Sequence, residues 1–255
     1  MKPLRWTETP DGIVRAIIDR PDALNAISFA SMEALEELLT VLEASTTAKV
    51  LVFKGAGPAF VAGGDLKEFA SLTSAPEARQ MATRMIQILD RLEALPIWTV
   101  AAIQGDAYGG GCELALAFDF RLLAQSARLG FTQARFALPP GWGGLTRLVE
   151  RVGRARATRW LATAALVPSD EALLSGLVDL TFDDDAFTSQ VDEFAHSLAR
   201  APRSLIAALK QGAYRASKLP RKEALAAELE PFASLWAAPE HLDAVDAFLR
   251  RRIEP

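Results

Sequence analysis

Two glycine-rich turns about 45 residues apart, Val61-Ala-Gly-Gly-Asp-Leu-Lys-Glu68 and Gly109-Gly-Gly-Cys-Glu-Leu-Ala115, constrain this chain more than any other feature. Each follows an apolar run that reads as a strand, and each leads into a helical pattern. A backbone N–H at a helix start has no intrahelical partner and lies at the positive end of the helix dipole. Two such groups from separate turns can converge on one oxygen atom. Glycine lets a ligand approach the backbone where a β-carbon would block it. That geometry suits a reaction that passes through an oxyanion, such as the enolate of a thioester.

The rest of the pattern fixes the fold class. Ile13–Ile18, Val50–Phe53, Trp98–Ile103 and Phe120–Leu123 are short β-branched or apolar runs, and helical patterns at about 30–45, 76–94 and 111–118 lie between them. Alternating strands and helices predict an α/β layer structure for the first two-thirds. After about Gly143 helices dominate, at roughly 143–163, 169–176, 185–200, 202–217 and 221–250. A chain of 255 residues with 50% hydrophobic and 24% charged residues fits a single globular α/β domain with a helical extension. The net charge of −4 argues against a nucleic-acid or anionic-membrane surface. No run approaches the length of a membrane span. One cysteine excludes an intramolecular disulfide, and the N-terminus lacks a secretory core, so a cytoplasmic protein is expected.

Several side chains admit both a structural and a chemical reading. Asp65 and Glu68 have the spacing of a capping box that opens a short helix. Gly63 and Gly64 exceed what capping requires. Glu113 sits about one helical turn into the second motif, where its carboxylate can stand over a bound group or simply complement the dipole. Cys112, with no neighbouring histidine, reads as structural. His196 and His241 lack partners at metal-ligand spacing, so no metal site is expected. Arg147, Arg151, Arg154, Arg156 and Arg159 read as a solvated or ion-paired face. Gly55-Ala-Gly57-Pro-Ala-Phe60 has Phe60 where a dinucleotide fingerprint needs glycine.

In order and spacing these motifs resemble the crotonase superfamily, the enoyl-CoA hydratase/isomerases. The resemblance rests on Pro21-Asp-Ala-Leu-Asn-Ala26, Ala59–Leu66, Gln104–Ala115 with Phe118-Asp-Phe-Arg121, and Pro140-Gly-Trp-Gly-Gly144. It implies an α/β spiral of ββα units over residues 1–195 that binds acyl-CoA. It implies a C-terminal helical region, 196–255, used as a lid or in a homotrimer or dimer of trimers. The substrate would be an acyl-CoA thioester, with coenzyme A as part of the substrate and no further cofactor. Its carbonyl oxygen would accept from the Gly64 and Gly110 N–H groups. Ala23, Leu24, Ala62, Gly63, Asp65, Leu66 and Trp142 would line the coenzyme A and substrate path. Asp22 stands where relatives commonly carry a basic residue.

The same resemblance assigns an acid–base pair to Glu113 and Gln133. Hydratases of the family use two glutamates, and an amide cannot exchange a proton as a carboxylate does. Pro140–Glu150 and Phe232–His241 resemble the ethylmalonyl-CoA/methylmalonyl-CoA decarboxylase branch. Decarboxylation needs an oxyanion hole and no second carboxylate, which would repel the substrate's own. Gln133 is expected to hydrogen-bond that carboxylate. Enoyl-CoA hydration, isomerisation through Glu113 alone, and a non-catalytic acyl-CoA or RNA binder are the alternatives.

Overall fold

In a computed structural model that describes residues 2–251, the apolar runs of the sequence become neighbouring strands of one sheet. In chain order the elements are β1 (Leu4–Glu8), β2 (Ile13–Ile18), α1 (Phe29–Ala44), β3 (Val50–Gly55), α2 (Leu66–Phe69), α3 (Ala75–Ala94), β4 (Trp98–Ile103), β5 (Ala107–Tyr108), α4 (Gly110–Leu116) and β6 (Phe120–Ala124). There follow β7 (Leu129–Gly130), α5 (Gly144–Val152), α6 (Arg154–Thr163), β8 (Leu166–Val167), α7 (Ser169–Leu174), β9 (Leu180–Phe182), α8 (Phe187–Ala199), α9 (Arg203–Lys218), α10 (Arg221–Trp236) and α11 (Pro239–Arg251). The expected α/β class holds.

The main sheet runs β1-β2-β3-β4-β6-β9. Only the β1–β2 pair is antiparallel; the others are parallel. Parallel strands covered on both faces need continuous apolar runs, and Val50–Phe53 and Thr99–Ile103 are buried throughout. α1 turns Met32, Leu35, Leu38, Leu39 and Leu42 inward, and α3 adds Met85, Ile88, Leu89 and Leu92. Both helices begin where the sequence dictates. The Ser28 side chain accepts from Ser31 N, and Ser74 with Glu77 forms a reciprocal capping box.

A small second sheet, β5-β7-β8, and one isolated bridge set the positions of the two glycine turns. Gly109 N donates to Gly130 O at 2.8 Å, and Tyr108 N donates to Val61 O at 3.0 Å. Ile27 N donates to Gly63 O at 2.8 Å, and Asp65 N to Ile27 O at 2.9 Å. The segment after Leu24, the first turn and the second turn are thereby laced together by backbone bonds.

The expected helix at 143–163 breaks at Gly153, whose φ of +78° no helix tolerates, giving α5 and α6. The helix at 221–250 likewise divides between Trp236 and Pro239 into α10 and α11. Residue 196, the expected start of the helical extension, lies within α8, and residues 252–255 of that extension lie outside the described residues. Among the described residues no helix is long and apolar enough to cross a membrane.

Candidate active site

The first turn is anchored by a buried asparagine. Leu24 and Asn25 both adopt left-handed backbone, φ +50° and +59°. Such a pair persists only when its surroundings hold it. Asn25 Oδ1 accepts from Arg20 N at 3.0 Å, and Nδ2 donates to Ala56 O and Ala59 O at 2.8 Å each. With the loop fixed in this way, the Leu24 side chain is presented outward.

Asp65 caps α2 through Lys67 N and Glu68 N, and its second oxygen pairs with Arg20 Nη2 at 2.7 Å. The Arg20 hydrogen bond holds the Asp65 carboxyl below the usual carboxylate range. The expected capping box is only half present. Asp65 N is already taken by Ile27 O, so Glu68 instead accepts from Phe29 N at 3.1 Å, at the start of α1. A cavity of about 970 Å³ opens here, walled by Ala23, Leu24, Ala62, Gly64, Asp65 and Leu66. Arg20 and Lys67 line the same cavity, beside Asp22. These two cations were not singled out from the sequence, although Arg20 lies two residues before Asp22 and Lys67 two residues after Asp65.

The second turn depends on glycine for reasons internal to the protein. Gly109 has φ +51° and ψ −116°, a conformation closed to L-residues. At Gly110 a Cβ would lie 2.2 Å from Trp142 Cζ3, and at Gly64 a Cβ would lie 3.4 Å from Trp142 Cζ2. The six-membered ring of one buried indole therefore borders both glycines. A Cβ built on Gly63 would stand 3.3 Å from the Gly110 nitrogen, which brings the two turns within contact distance. Neither the Gly64 nor the Gly110 N–H finds an acceptor among the described residues.

Glu113 is buried beneath this point and fully bonded. Oε1 accepts from Gln133 Nε2 at 2.9 Å and Gly141 N at 3.3 Å. Oε2 accepts from Trp142 N at 2.7 Å and Gly144 N at 2.8 Å. Burial pushes the carboxyl above its ordinary value, and these four donors pull the other way. The carboxylate thus pins the 141–144 loop, and with it the Trp142 ring, against the second turn. Gln133 is brought to Glu113 as the sequence pairing implies, but its amide nitrogen goes to Glu113. The remaining acceptor, Oε1, is buried without a partner. Nε2 carries a second hydrogen, so its bond to Glu113 leaves the amide one further N–H to donate. Beside Gln133, Leu138, Pro139, Pro140, Leu145 and Leu161 wall an apolar cavity of about 330 Å³.

The remaining candidates have structural partners. The Cys112 thiol donates to Ala107 O at 3.2 Å, and its burial pushes the pKa up. His196 Nδ1 contacts Asp192 O at 2.7 Å, and His241 stacks on Trp236. Among the described residues no cluster of histidine, cysteine and carboxylate side chains could hold a metal ion. Arg147 pairs with Asp90 and Glu93, Arg151 with Asp179, and Arg159 with Glu171, so the basic stretch is largely an intrachain ion-pair face.

Known proteins resemble this chain in sequence and in fold. The family pattern described as enoyl-CoA hydratase/isomerase matches residues 8–254. The chain is 33% identical over 237 residues to ethylmalonyl-CoA decarboxylase of Xenopus tropicalis, covering 92% of this chain and 79% of that protein. Against the Mus musculus protein of the same name it is 33% identical over 238 residues, covering 92% and 74%. Its fold superposes on the crystal structure of an enoyl-CoA hydratase from Bacillus anthracis with a TM-score of 0.93 at 29% identity, covering 98% and 96% of the two chains.

Proposed function

The chain belongs to the enoyl-CoA hydratase/isomerase family, and from that premise we propose that it is a lyase that removes CO2 from a short branched malonyl-type acyl-CoA such as ethylmalonyl- or methylmalonyl-CoA. The observation that carries this reading is the state of Glu113. Both of its oxygens already accept two N–H bonds. The position of a second acid holds an amide. Hydration needs a carboxylate pair that holds and splits water, and isomerisation needs one free carboxylate that shuttles a proton. Decarboxylation needs neither. The relatives named ethylmalonyl-CoA decarboxylase support the same choice.

In this reading coenzyme A lies along the Ala23–Leu24 and Ala62–Leu66 cavity, with Arg20 and Lys67 near its phosphates. The thioester oxygen accepts from the Gly64 and Gly110 N–H groups. As the bond to the carboxylate breaks, its electron pair moves into the thioester and charge builds on that oxygen. Fixed donors aimed at such charge are worth about 3–4 kcal/mol of barrier each. Trp142 keeps water from the glycine side, where fewer competing dipoles strengthen the interaction. The bonded Glu113 charge repels the leaving carboxylate less than a free one. The apolar cavity beside Gln133 has room for a short alkyl branch. No cofactor beyond the substrate's coenzyme A takes part in these steps.

Incubation with malonyl-, methylmalonyl-, ethylmalonyl- and crotonyl-CoA, with products read by mass spectrometry, tests the proposal. CO2 release from the branched substrates is expected to exceed hydration of crotonyl-CoA, and the opposite ranking overturns the lyase reading. Gln133→Glu sharpens the test. It sets two carboxyls at the 2.9 Å now spanned by the amide, so one must hold a proton. The single charge of that pair is then free to sit on the new carboxyl, and about 4 Å from the substrate carboxylate it costs about 4 kcal/mol at an effective dielectric of 20. Decarboxylation should fall by orders of magnitude while crotonyl-CoA hydration appears.

A further inference from the structure

The sheet face under α8 carries a lysine that the fold does not explain. Lys54 sits in β3, an interior parallel strand whose preceding residues, 50–53, are all buried. Such strands take apolar side chains on both faces. The Lys54 ammonium has no carboxylate or hydrogen-bond partner among the described residues. Cross-strand register puts Arg5, Ile17, Lys54 and Ala102 in one row, and Thr7, Arg15 and Val52 in the next. Residues opposite one another, and residues two apart on a strand, share a face, so the three cations stand on one side of the sheet. That face floors a cavity of about 480 Å³, roofed by Phe187 and Val191 one turn apart on α8. The cavity reaches Gly55–Gly57 and Gln104, at the carboxyl ends of β3 and β4, the end at which open parallel sheets hold ligands. It shares no wall residue with the cavity proposed for coenzyme A.

Charge and surface together define what fits. Arg5 pairs with Asp19 at 3.0 Å and Arg15 with Asp192 at 2.9 Å. That leaves one uncompensated positive charge in the cavity, on Lys54, in a chain whose net charge is −4. A single negative charge balances it, and a phosphate dianion would exceed it. Ile17, Val52 and Ala102 below and Phe187 and Val191 above supply apolar walls. We propose that this cavity binds an aliphatic monocarboxylate, with the carboxylate on Lys54 Nζ and the chain between the sheet and α8. Hydrogen bonds between ionised partners are the strong ones, so the ammonium fixes one end of the ligand. Each methylene withdrawn from water between β2, β3, β4 and α8 adds hydrophobic binding. The site lies apart from the thioester chemistry and does not depend on the decarboxylase reading.

Calorimetric titration of the full chain with butyrate, hexanoate and octanoate tests this. Saturable binding of one molecule per chain is expected, tightening about two- to fourfold with each added methylene. Octylammonium, with the same chain and the opposite charge, should not compete with octanoate. Lys54→Met keeps the apolar stem and removes the charge, and should weaken octanoate about tenfold or more. Lys54→Arg should restore most of the affinity. Thr188→Glu, at an exposed wall position of the same cavity, sets a negative charge beside the ligand. It should weaken octanoate as well, and it serves if the methionine variant misfolds. Saturating coenzyme A should leave octanoate binding unchanged. Absence of saturable binding, or an affinity indifferent to chain length, overturns the proposal. So does undiminished affinity in a folded Lys54→Met protein, which would mean an ammonium that is merely solvated, or displacement of octanoate by coenzyme A. None of these titrations requires turnover, so failure of the lyase reading is seen separately, in the acyl-CoA panel.

Discussion

Glu113 accepts four N–H bonds that an acid–base catalyst would have to give up, and that makes its substitution diagnostic. Glu113→Gln keeps one acceptor oxygen and turns an NH2 group toward two backbone donors. Each buried donor left unmet costs about 1–3 kcal/mol, so the variant should lose about 2–5 kcal/mol of stability in denaturant unfolding. Stability within about 0.5 kcal/mol of wild type, together with lost activity, would instead mark Glu113 as a free catalytic group. The pH dependence has a defined sign. Burial raises the folded carboxyl above its unfolded value. Between about 4.3, the ordinary glutamate value, and that raised value, the native state binds more protons than the unfolded one. This contribution to stability is therefore complete below about 4.3 and is lost as pH rises through the folded value. Glu113→Gln should flatten that slope.

Among the elements, α4 and the 141–144 loop meet through Gly110 and Trp142, and their coupling can be measured. A methyl at Gly110 collides with the indole, so Gly110→Ala should push Trp142 aside and loosen the loop. Trp142→Ala alone should cost about 3–5 kcal/mol as a core truncation. The double variant should be less destabilised than the sum of the two by about 1–3 kcal/mol; strict additivity in a thermal or denaturant cycle would rule the contact out. The glycines themselves were legible in the sequence, as were β2, β3, β4, β6, α1 and α3, because a short, mostly apolar run or a long amphipathic pattern leaves few alternatives. The two-residue strands β5, β7 and β8 were not, since no periodicity exists at that length. Nor was the clamp on Glu113. Three of its donors are backbone N–H groups about 30 residues away, and backbone donors have no residue signature. The orientation of Gln133 follows from that clamp and was hidden with it.

For the whole molecule, the helices after α8 leave more apolar surface uncovered than a monomer needs. Leu225, Leu229, Phe232 and Trp236 of α10 are exposed, and their spacing of four, three and four residues aligns them on one face. Only Ala224 of this helix is buried. Leu242, Val245 and Leu249 on α11 are exposed as well. A patch this large marks an interaction surface, and we propose that it joins copies of this chain into a homotrimer or a dimer of trimers. The net charge of −4 permits such association, and Arg147, Arg151 and Arg159 are already paired within the chain. Sedimentation at micromolar concentration is expected to give a trimer or hexamer, with a Tm that rises with protein concentration. Phe232→Glu carries a charge into the centre of the stripe, where an unpaired buried carboxylate is far more costly than a lost phenyl contact. That variant should sediment as a smaller species and lose the concentration dependence of its Tm. A wild-type monomer under the same conditions would leave the α10 stripe without the partner proposed for it.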